Sequence, residues 1–264
     1  MSEGFDHTLE PMARKLSLWG SLTPADHDAV LALPHHRRGL DAGQYLVWDG
    51  DRPQQTCLLL SGFAYRHKHA GNGGRQILSV HMKGDIVDLQ NSLLGLADHN
   101  VQMLTAGDVA LIPIEAIREL AFSRPVVGMA MWYETLVEGS IFREWVLNIG
   151  RRDARTRIAH LLCEFAMRLE VADLGEQTRY ELPITQEQLA DAVALTPVQR
   201  QPHADEARAG KAHHPLQARH RHRGLEAIGE GRRFRPPLPP PRPPGIRQAD
   251  HRGIRERFSR RLIG

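Results

Sequence analysis

The residues whose types and spacing most clearly suggest a chemistry lie between Ile184 and Val198. Thr185 is followed three residues later by Gln188, the capping-box pattern that opens a helix. Thr196 and Pro197 form a second start signal, because threonine caps a helix and proline suits its first turn. Two short helices joined this way form a helix-turn-helix, whose second helix enters the DNA major groove. We therefore expect the DNA-binding residues to be Thr185, Gln186, Gln188, Thr196, Pro197 and Val198.

Other reactive side chains show no catalytic pattern. The sequence has no nucleophile–base set, glycine-rich phosphate loop or metal-ligand spacing, so we predict that the chain is not an enzyme. Cys57 and Cys163 are too few for an all-cysteine zinc or iron–sulfur site and are expected to be reduced thiols. Haem ligation by a histidine stays open, but no cofactor is predicted. The histidines considered for it are expected to be surface residues: His35, His67, His81 and His99.

The segments that must position this motif change in character along the chain. Short helical patterns come first, at Met12–Leu16 and after Thr23. Between residues 37 and 114, short apolar strings alternate with glycine turns, which indicates an antiparallel β-roll or jelly roll. The strings are Tyr45–Trp48, Thr56–Leu60, Gln76–Val80 and Val109–Ile112, and Asn72-Gly73-Gly74 is a hairpin turn. The predicted fold class is α+β.

A long apolar helix is predicted from Pro125 to Arg151, because this stretch has no internal proline. It is too long to be covered by the β-roll alone, so we expect it to pair with a second copy of the chain. An ordinary packing helix is the alternative. Asp153 is then expected to cap another amphipathic helix, with Leu161, Phe165 and Leu169 on its buried face.

Charge divides the chain near Val198. Up to that residue there are 18 Lys and Arg against 25 Asp and Glu, whereas from Gln199 onward there are 16 against 6. Nine of the 17 prolines also lie in the later segment. No run approaches the ~18 apolar residues of a membrane span, and the N-terminus lacks a secretory signal pattern. A cytoplasmic protein without a membrane contact is therefore predicted.

The order of these parts resembles the Crp/Fnr family of bacterial transcription regulators. The residues that carry the resemblance are Ala42-Gly43-Gln44, Trp48-Asp49-Gly50-Asp51 and the late run from Thr185 to Val198. The resemblance implies a cyclic-nucleotide-binding-like sensor over 10–120, a dimerisation helix over 121–152 and a partial helix-turn-helix domain over 153–198. It also implies DNA, a second copy, an unidentified small-molecule effector and RNA polymerase as partners.

The effector site departs from the family pattern. Cyclic-AMP-binding members carry an arginine that pairs with the phosphate, but no arginine lies between Lys83 and Arg118. We therefore do not expect cyclic-nucleotide binding. The oxygen-sensing members need a cysteine cluster, which this sequence also lacks. The corresponding segment still supplies residues for a pocket, namely Gly84, Asp85, Asp88, Gln90, Asn91, His99 and Asn100.

The second helix of the motif does not continue as expected. Pro202 would break it at a cost of ~3 kcal/mol. If residues 200–209 are encoded CGT CAA CCG CAC GCT GAT GAA GCT CGA GCG, the frame starting one base later reads V-N-R-T-L-M-K-L-E and then R. That peptide resembles the family's recognition helix, and later codons permit matches to its wing. We interpret residues 199–264 as a displaced reading frame, predicted to be disordered; a genuine basic extension is the alternative.

Two functions are consistent with these features. The first is a homodimeric DNA-binding transcription regulator whose specific DNA binding is impaired, because the recognition helix and wing are lost. The second is a ligand-binding or dimerising module without specific DNA binding.

Overall fold

The computed structural model describes residues 7–172, 174 and 180–195. A 3₁₀ turn, His7–Leu9, leads into α1, Glu10–Ser17, and α2 covers Pro24–Leu31. The Thr23 hydroxyl accepts the amide hydrogen of Asp26, whose carboxylate accepts that of Thr23, so this capping box begins α2 where the sequence predicts a helix.

Eight strands form two four-stranded sheets, with orders β1-β8-β3-β6 and β2-β7-β4-β5. The strands are β1 His36–Leu40, β2 Tyr45–Val47, β3 Gln55–Leu59, β4 Ala64–His69, β5 Arg75–His81, β6 Ile86–Val87, β7 Asn100–Met103 and β8 Gly107–Pro113. β8 pairs antiparallel with both β1 and β3, and β7 pairs antiparallel with β2 and β4. This arrangement confirms the predicted antiparallel β-roll.

Apolar side chains from both sheets form one buried cluster, because alternate residues of each strand point to the same face. The first sheet contributes Leu59 and Val109, and the second contributes Val101 and Met103. Cys57 is buried in the same cluster as a free thiol, whereas the free thiol of Cys163 is exposed. The cluster gives the strand ends, where the polar residues lie, a rigid support.

Five further helices follow the strands or interrupt them. They are α3 Asn91–Leu94, α4 Ile114–Ser123, α5 Pro125–Arg151, α6 Ala154–Val171 and α7 Gln186–Val193. α5 occupies the stretch predicted as a long helix. The Asp153 carboxylate accepts the Thr156 amide hydrogen and so caps α6, as the sequence indicates.

The described residues separate into two compact units. The first consists of residues 7–68 and 79–140. The second consists of residues 69–78, 141–172, 174 and 180–195. In the second unit, the Trp145 indole donates a hydrogen bond to the Glu164 carboxylate at 2.6 Å, and both residues are buried. The domain boundaries expected from the sequence remain a prediction. Within the described part of the chain, no helix is both long and apolar enough to cross a membrane.

Candidate functional site

Asp88 is the centre of a buried polar cluster in the β-roll. It follows β6 directly, adopts a left-handed backbone with φ of 59°, and is 3% exposed. Aspartate tolerates this conformation better than most residues, although a non-glycine residue with positive φ is uncommon. The turn aims the carboxylate of Asp88 back toward the strands, where other polar side chains meet it.

Four side chains donate hydrogen bonds to the Asp88 carboxylate. Oδ1 lies 2.7 Å from Nη2 of Arg66, 2.8 Å from Nε2 of His99 and 3.2 Å from Nε2 of Gln90. Oδ2 lies 3.4 Å from Nδ2 of Asn91. Both carboxylate oxygens are thus engaged by groups from β4, from the residue before β7 and from α3 with its preceding residue.

The electrostatics of Asp88 follow from these contacts. Burial alone raises the pKa of its carboxyl group, but the hydrogen bond from His99 and the charge of Arg66 outweigh burial and lower the pKa to about 2. Burial, together with the negative charge of nearby Asp88, raises the pKa of the Cys57 thiol. Asp88 is therefore ionised at neutral pH.

Arg66 links this turn to the long helix. Its Nη1 donates to Oε1 of Glu138 in α5 at 2.8 Å, while Nη2 holds Asp88. Its side chain is only 11% exposed, so both ion pairs are largely shielded from water. The sequence analysis looked for an arginine only between Lys83 and Arg118, where none lies, and so missed Arg66 in β4.

A second set of ion pairs lies beside the first. Lys15 of α1 contacts the carboxylates of Asp85 and Glu134, the latter at 2.9 Å. His81 lies 3.7 Å from Asp85 and 3.9 Å from Glu138, and the Ser79 hydroxyl is 3.0 Å from its Nε2. Two acidic side chains of α5 therefore contact other elements: Glu134 contacts α1, and Glu138 contacts the β-roll.

The residues predicted to form the effector pocket do not all lie in one cluster. Asp88, Gln90, Asn91 and His99 converge on the cluster. Asp85 belongs to the neighbouring set, and Gly84 forms the turn before it with φ of 89°. Asn100 faces elsewhere, since its Oδ1 accepts the amide hydrogen of Asp49 at 3.1 Å.

The expectation that the histidines are surface residues is wrong for three of the four. His67 is 0% exposed, while His81 and His99 are each 4% exposed. His35 is half-buried. Carboxylate oxygens 3.7 Å from His81 and 2.8 Å from His99 give these two buried rings polar partners.

This arrangement does not suit a phosphate. The guanidinium of Arg66 already pairs with two carboxylates, those of Asp88 and Glu138, so it is not free to pair with a phosphate. Within the described cluster, three buried polar atoms have no hydrogen-bond partner: Nε of Arg66, Oε1 of Gln90 and Oδ1 of Asn91. The cluster can therefore hydrogen-bond a small polar group. No cluster of His, Cys, Asp and Glu that could hold a metal ion occurs in the described part.

α7 has the features predicted for the first helix of the DNA-binding motif. The Thr185 hydroxyl accepts the Gln188 amide hydrogen at 3.1 Å, and the Gln188 side chain accepts that of Thr185 at 2.8 Å. Gln186 is exposed. Ala194 ends the helix with a left-handed backbone, φ of 52°. Thr196, Pro197 and Val198 lie outside the described residues, as do residues 199–264.

Side chains of the second unit hold α7 in place. Arg75 pairs with Asp191 through Nε and Nη2, both at 2.9 Å, and Gln76 donates to the Ala192 carbonyl at 3.3 Å. Arg157 of α6 donates to the carbonyls of Val193 and Ala194 at 3.1 and 3.2 Å. The last carbonyls of α7 are thereby satisfied by an arginine.

α5 carries an exposed apolar surface along its length. Seven large apolar side chains are between 42% and 59% exposed there: Val126, Met129, Trp132, Leu136, Phe142, Val146 and Leu147. Met129, Trp132 and Leu136 follow one another at intervals of three and four residues, as in a helix-pairing seam. A soluble monomer rarely exposes so long an apolar surface.

Comparison with known proteins agrees with this architecture. Residues 37–124 match the cyclic nucleotide-binding domain family. The chain is 29% identical over 171 residues to the transcriptional activator protein FnrL of Cereibacter sphaeroides, covering 64% of this chain and 68% of that protein. It is 26% identical over 199 residues to the transcriptional activatory protein AadR of Rhodopseudomonas palustris, covering 74% and 80%.

Solved structures show the same fold at low identity. FixK2 from Bradyrhizobium japonicum aligns with a TM-score of 0.58 at 15% identity, covering 71% of this chain and 94% of that one. The c-di-GMP-responsive regulator CLP of Xanthomonas campestris aligns with a TM-score of 0.53 at 14% identity, covering 74% and 97%.

Proposed function

We propose that the chain is a homodimeric DNA-binding regulator of the Crp/Fnr type with an effector-sensing β-roll. The observation that carries this proposal is α7 with its Thr185 capping box and its left-handed residue Ala194. A short capped helix that ends in a sharp turn is the first half of a helix-turn-helix. Thr185, Gln186 and Gln188 would then face the DNA backbone, and Thr196, Pro197 and Val198 would begin the groove-reading helix.

The effector of this β-roll is not a cyclic nucleotide under our proposal. A cyclic phosphate needs a cation that is free to pair with it. Arg66, the cationic side chain at the Asp88 cluster, is instead held by Asp88 and Glu138. Displacing either carboxylate would leave a buried charge without a partner, at a cost of several kcal/mol.

We further propose that specific DNA binding by this polypeptide is impaired. The support comes from the sequence: Pro202 interrupts the helix that Pro197 should begin, and the segment from Gln199 carries 16 Lys and Arg against 6 Asp and Glu. Such a segment attracts phosphates without reading bases, so its binding should depend steeply on salt.

Selection of bound duplexes from a random DNA library tests the proposal. We expect the purified chain to retain DNA at low salt without enriching any motif, and to lose about 10³-fold in affinity between 50 and 200 mM salt, as for six or more phosphate contacts. Enrichment of a palindromic motif that survives the higher salt would contradict the impairment while supporting the regulator assignment. Absence of any DNA retention at low salt would contradict both.

Pairing through α5 gives a second expected result. Leu136→Glu should convert a dimer into a species of 29.7 kDa in sedimentation velocity. Each copy loses about 2 kcal/mol of apolar burial, so the dimer dissociation constant should rise about 10³-fold. Phe122→Glu is the matched control, because Phe122 is 78% exposed but lies on α4. Equal dimerisation by both variants would exclude the α5 seam.

The same surface supports the second candidate function. A chain with an intact β-roll and α5 but without groove reading could still form mixed dimers with an intact relative. Co-expression of a tagged copy with such a relative distinguishes the two: recovery of mixed dimers that no longer bind the relative's DNA site would favour an interfering module. Mixed dimers are expected to form through α5, so the Leu136→Glu variant should not yield them.

A further inference from the structure

Arg157 lies in the first turn of α6 and makes hydrogen bonds to two separate places in the second unit. Its Nε donates to the carbonyl oxygen of Arg152, between α5 and α6, at 2.8 Å. Its Nη1 donates to the carbonyl oxygens of Val193 and Ala194, at the end of α7, at 3.1 and 3.2 Å. One guanidinium group therefore joins the α5–α6 junction to the turn that ends the candidate DNA-binding helix.

Three residues close the α5–α6 junction in a ring of hydrogen bonds. Nη1 of Arg152 donates to Oδ1 of Asn148 at 3.3 Å, and Nδ2 of Asn148 donates to the Arg157 carbonyl oxygen at 3.2 Å. Nε of Arg157 completes the ring, because it donates to the Arg152 carbonyl oxygen. Asn148 is 4% exposed, so its two side-chain bonds are largely shielded from water.

The turn at the other end of this link is strained. Ala194 has a left-handed backbone with φ of 52°, which a residue with a β-carbon keeps only where its surroundings hold it. The Leu195 amide donates to the Ala190 carbonyl at 2.9 Å and so closes the turn. The last carbonyls of a helix lack partners within it, and a cation is favourable beside them. Arg157 supplies both the donors and the positive charge at this end of α7.

We propose that Arg157 is a positioning residue of the DNA-binding motif, which transmits the geometry of the α5–α6 junction to the turn that leads into the groove-reading helix. The guanidinium group is planar and rigid, so its Nε and Nη1 keep a fixed separation and direction. A displacement of the Arg152 carbonyl therefore moves the group that holds Val193 and Ala194, or breaks its hold. The functional meaning of this link rests on the regulator proposed above, but the link itself does not require DNA.

A purely local capping role for Arg157 is the alternative. In that case Arg157 would stabilise the end of α7, and a change at the junction would affect that end only through a general loss of stability. Asn148 separates the two cases, because its two side-chain hydrogen bonds lie at the junction.

Amide hydrogen exchange of the full-length chain, resolved by NMR, tests the link. Asn148→Ala should speed exchange of the Leu195 amide about threefold, because this change opens the ring at the junction. The Leu189 amide donates to the Thr185 carbonyl at 2.8 Å in the first turn of α7, so it is the internal reference and should keep its rate. Equal acceleration at Leu195 and Leu189, or no acceleration at Leu195, would overturn the proposal.

The same change in Arg157 variants completes a double-mutant cycle. Arg157→Met keeps the apolar stem without the donors, and it should by itself speed Leu195 exchange about tenfold. Arg157→Lys keeps the charge but has one ammonium group in place of the planar fork, so it carries the test if Arg157→Met does not fold. In both variants Asn148→Ala should have no further effect at Leu195.

Arg155→Met is the matched control background, because Arg155 is an exposed arginine in the same turn of α6. There the effect of Asn148→Ala on Leu195 should persist in full. An effect of the same size without Arg157 would show that the junction reaches the turn by another route, and the proposal would fail. No step of this experiment uses DNA, so its outcome is distinguishable from a failure of the regulator proposal.

Discussion

Deleting one base at codon 200 of the natural gene is expected to produce a chain that prefers one palindromic duplex to random DNA by at least about 10³-fold. The chain as it stands should show no such preference. Because the deletion replaces Arg200 and the residues after it, Pro202 included, with the V-N-R-T-L-M-K-L-E-R frame, the helix expected to begin at Pro197 could continue. Polar and basic side chains would then lie on its groove-facing side.

The size of this effect reflects the contacts that the recognition helix supplies. Backbone contacts alone position a protein on DNA, and base-edge contacts give sequence discrimination of about 1–3 kcal/mol for each bidentate pair. In a dimer the discrimination free energies of two such helices add, so their fold-preferences for the correct sequence multiply. α7 and the turn at Ala194 are already formed, so the restored helix would begin from an ordered support.

Library selection on both proteins, at the same salt concentration, measures the change. The control carries the same one-base deletion in a gene whose codons 200–209 are first recoded synonymously, so that the new frame no longer encodes V-N-R-T-L-M-K-L-E-R. It should bind like the chain as it stands. A natural nucleotide sequence in which the alternative frame meets a stop codon within a few triplets would contradict the displaced-frame interpretation. So would a frame-restored dimer that still enriches no motif.

Asp88→Asn is expected to lower the free energy of unfolding by about 3–5 kcal/mol at neutral pH, because it removes one partner of a buried ion-pair cluster. Asparagine accepts the left-handed backbone at this position, so the effect isolates the charge. Arg66 would retain only Glu138, and His99 would face an amide in place of a carboxylate. Urea denaturation, monitored by tryptophan fluorescence, measures this decrease in the free energy of unfolding.

The acid side of the stability profile provides a second test of Asp88. Its pKa in the folded chain is lowered from 3.8 to about 2. A lowered carboxyl pKa stabilises the folded state above the ordinary value, and this stabilisation is lost as the pH falls from about 4 toward 2. The loss should be smaller in Asp88→Asn. Asp41→Asn, an exposed residue, is the control, and a variant of Asp88 within about 1 kcal/mol of it would contradict the assigned role.

The sequence by itself determined those features that depend on residues close together in the chain. The helix starts at Thr23 and Thr185 and the extent of α5 arise from local hydrogen bonding and apolar periodicity. These interactions span three or four residues, so their signals can be recognised without knowing the fold. Four strands, β2, β3, β5 and β8, were predictable for the same reason, because glycine turns bound their apolar runs, whereas β1, β4, β6 and β7 were not identified from the sequence.

Only the tertiary structure decided the composition of the Asp88 cluster. Asp88 is 22 positions from Arg66 and 11 from His99, and Arg66 is 72 positions from Glu138. No local pattern distinguishes a strand arginine or histidine that faces solvent from one that faces a carboxylate across the fold. Burial of a charged side chain is tolerable only where partners from other elements arrive with it. For that reason the sequence predicts a surface position for His99, whereas the fold buries its ring between the carboxylates of Asp88 and Asp98.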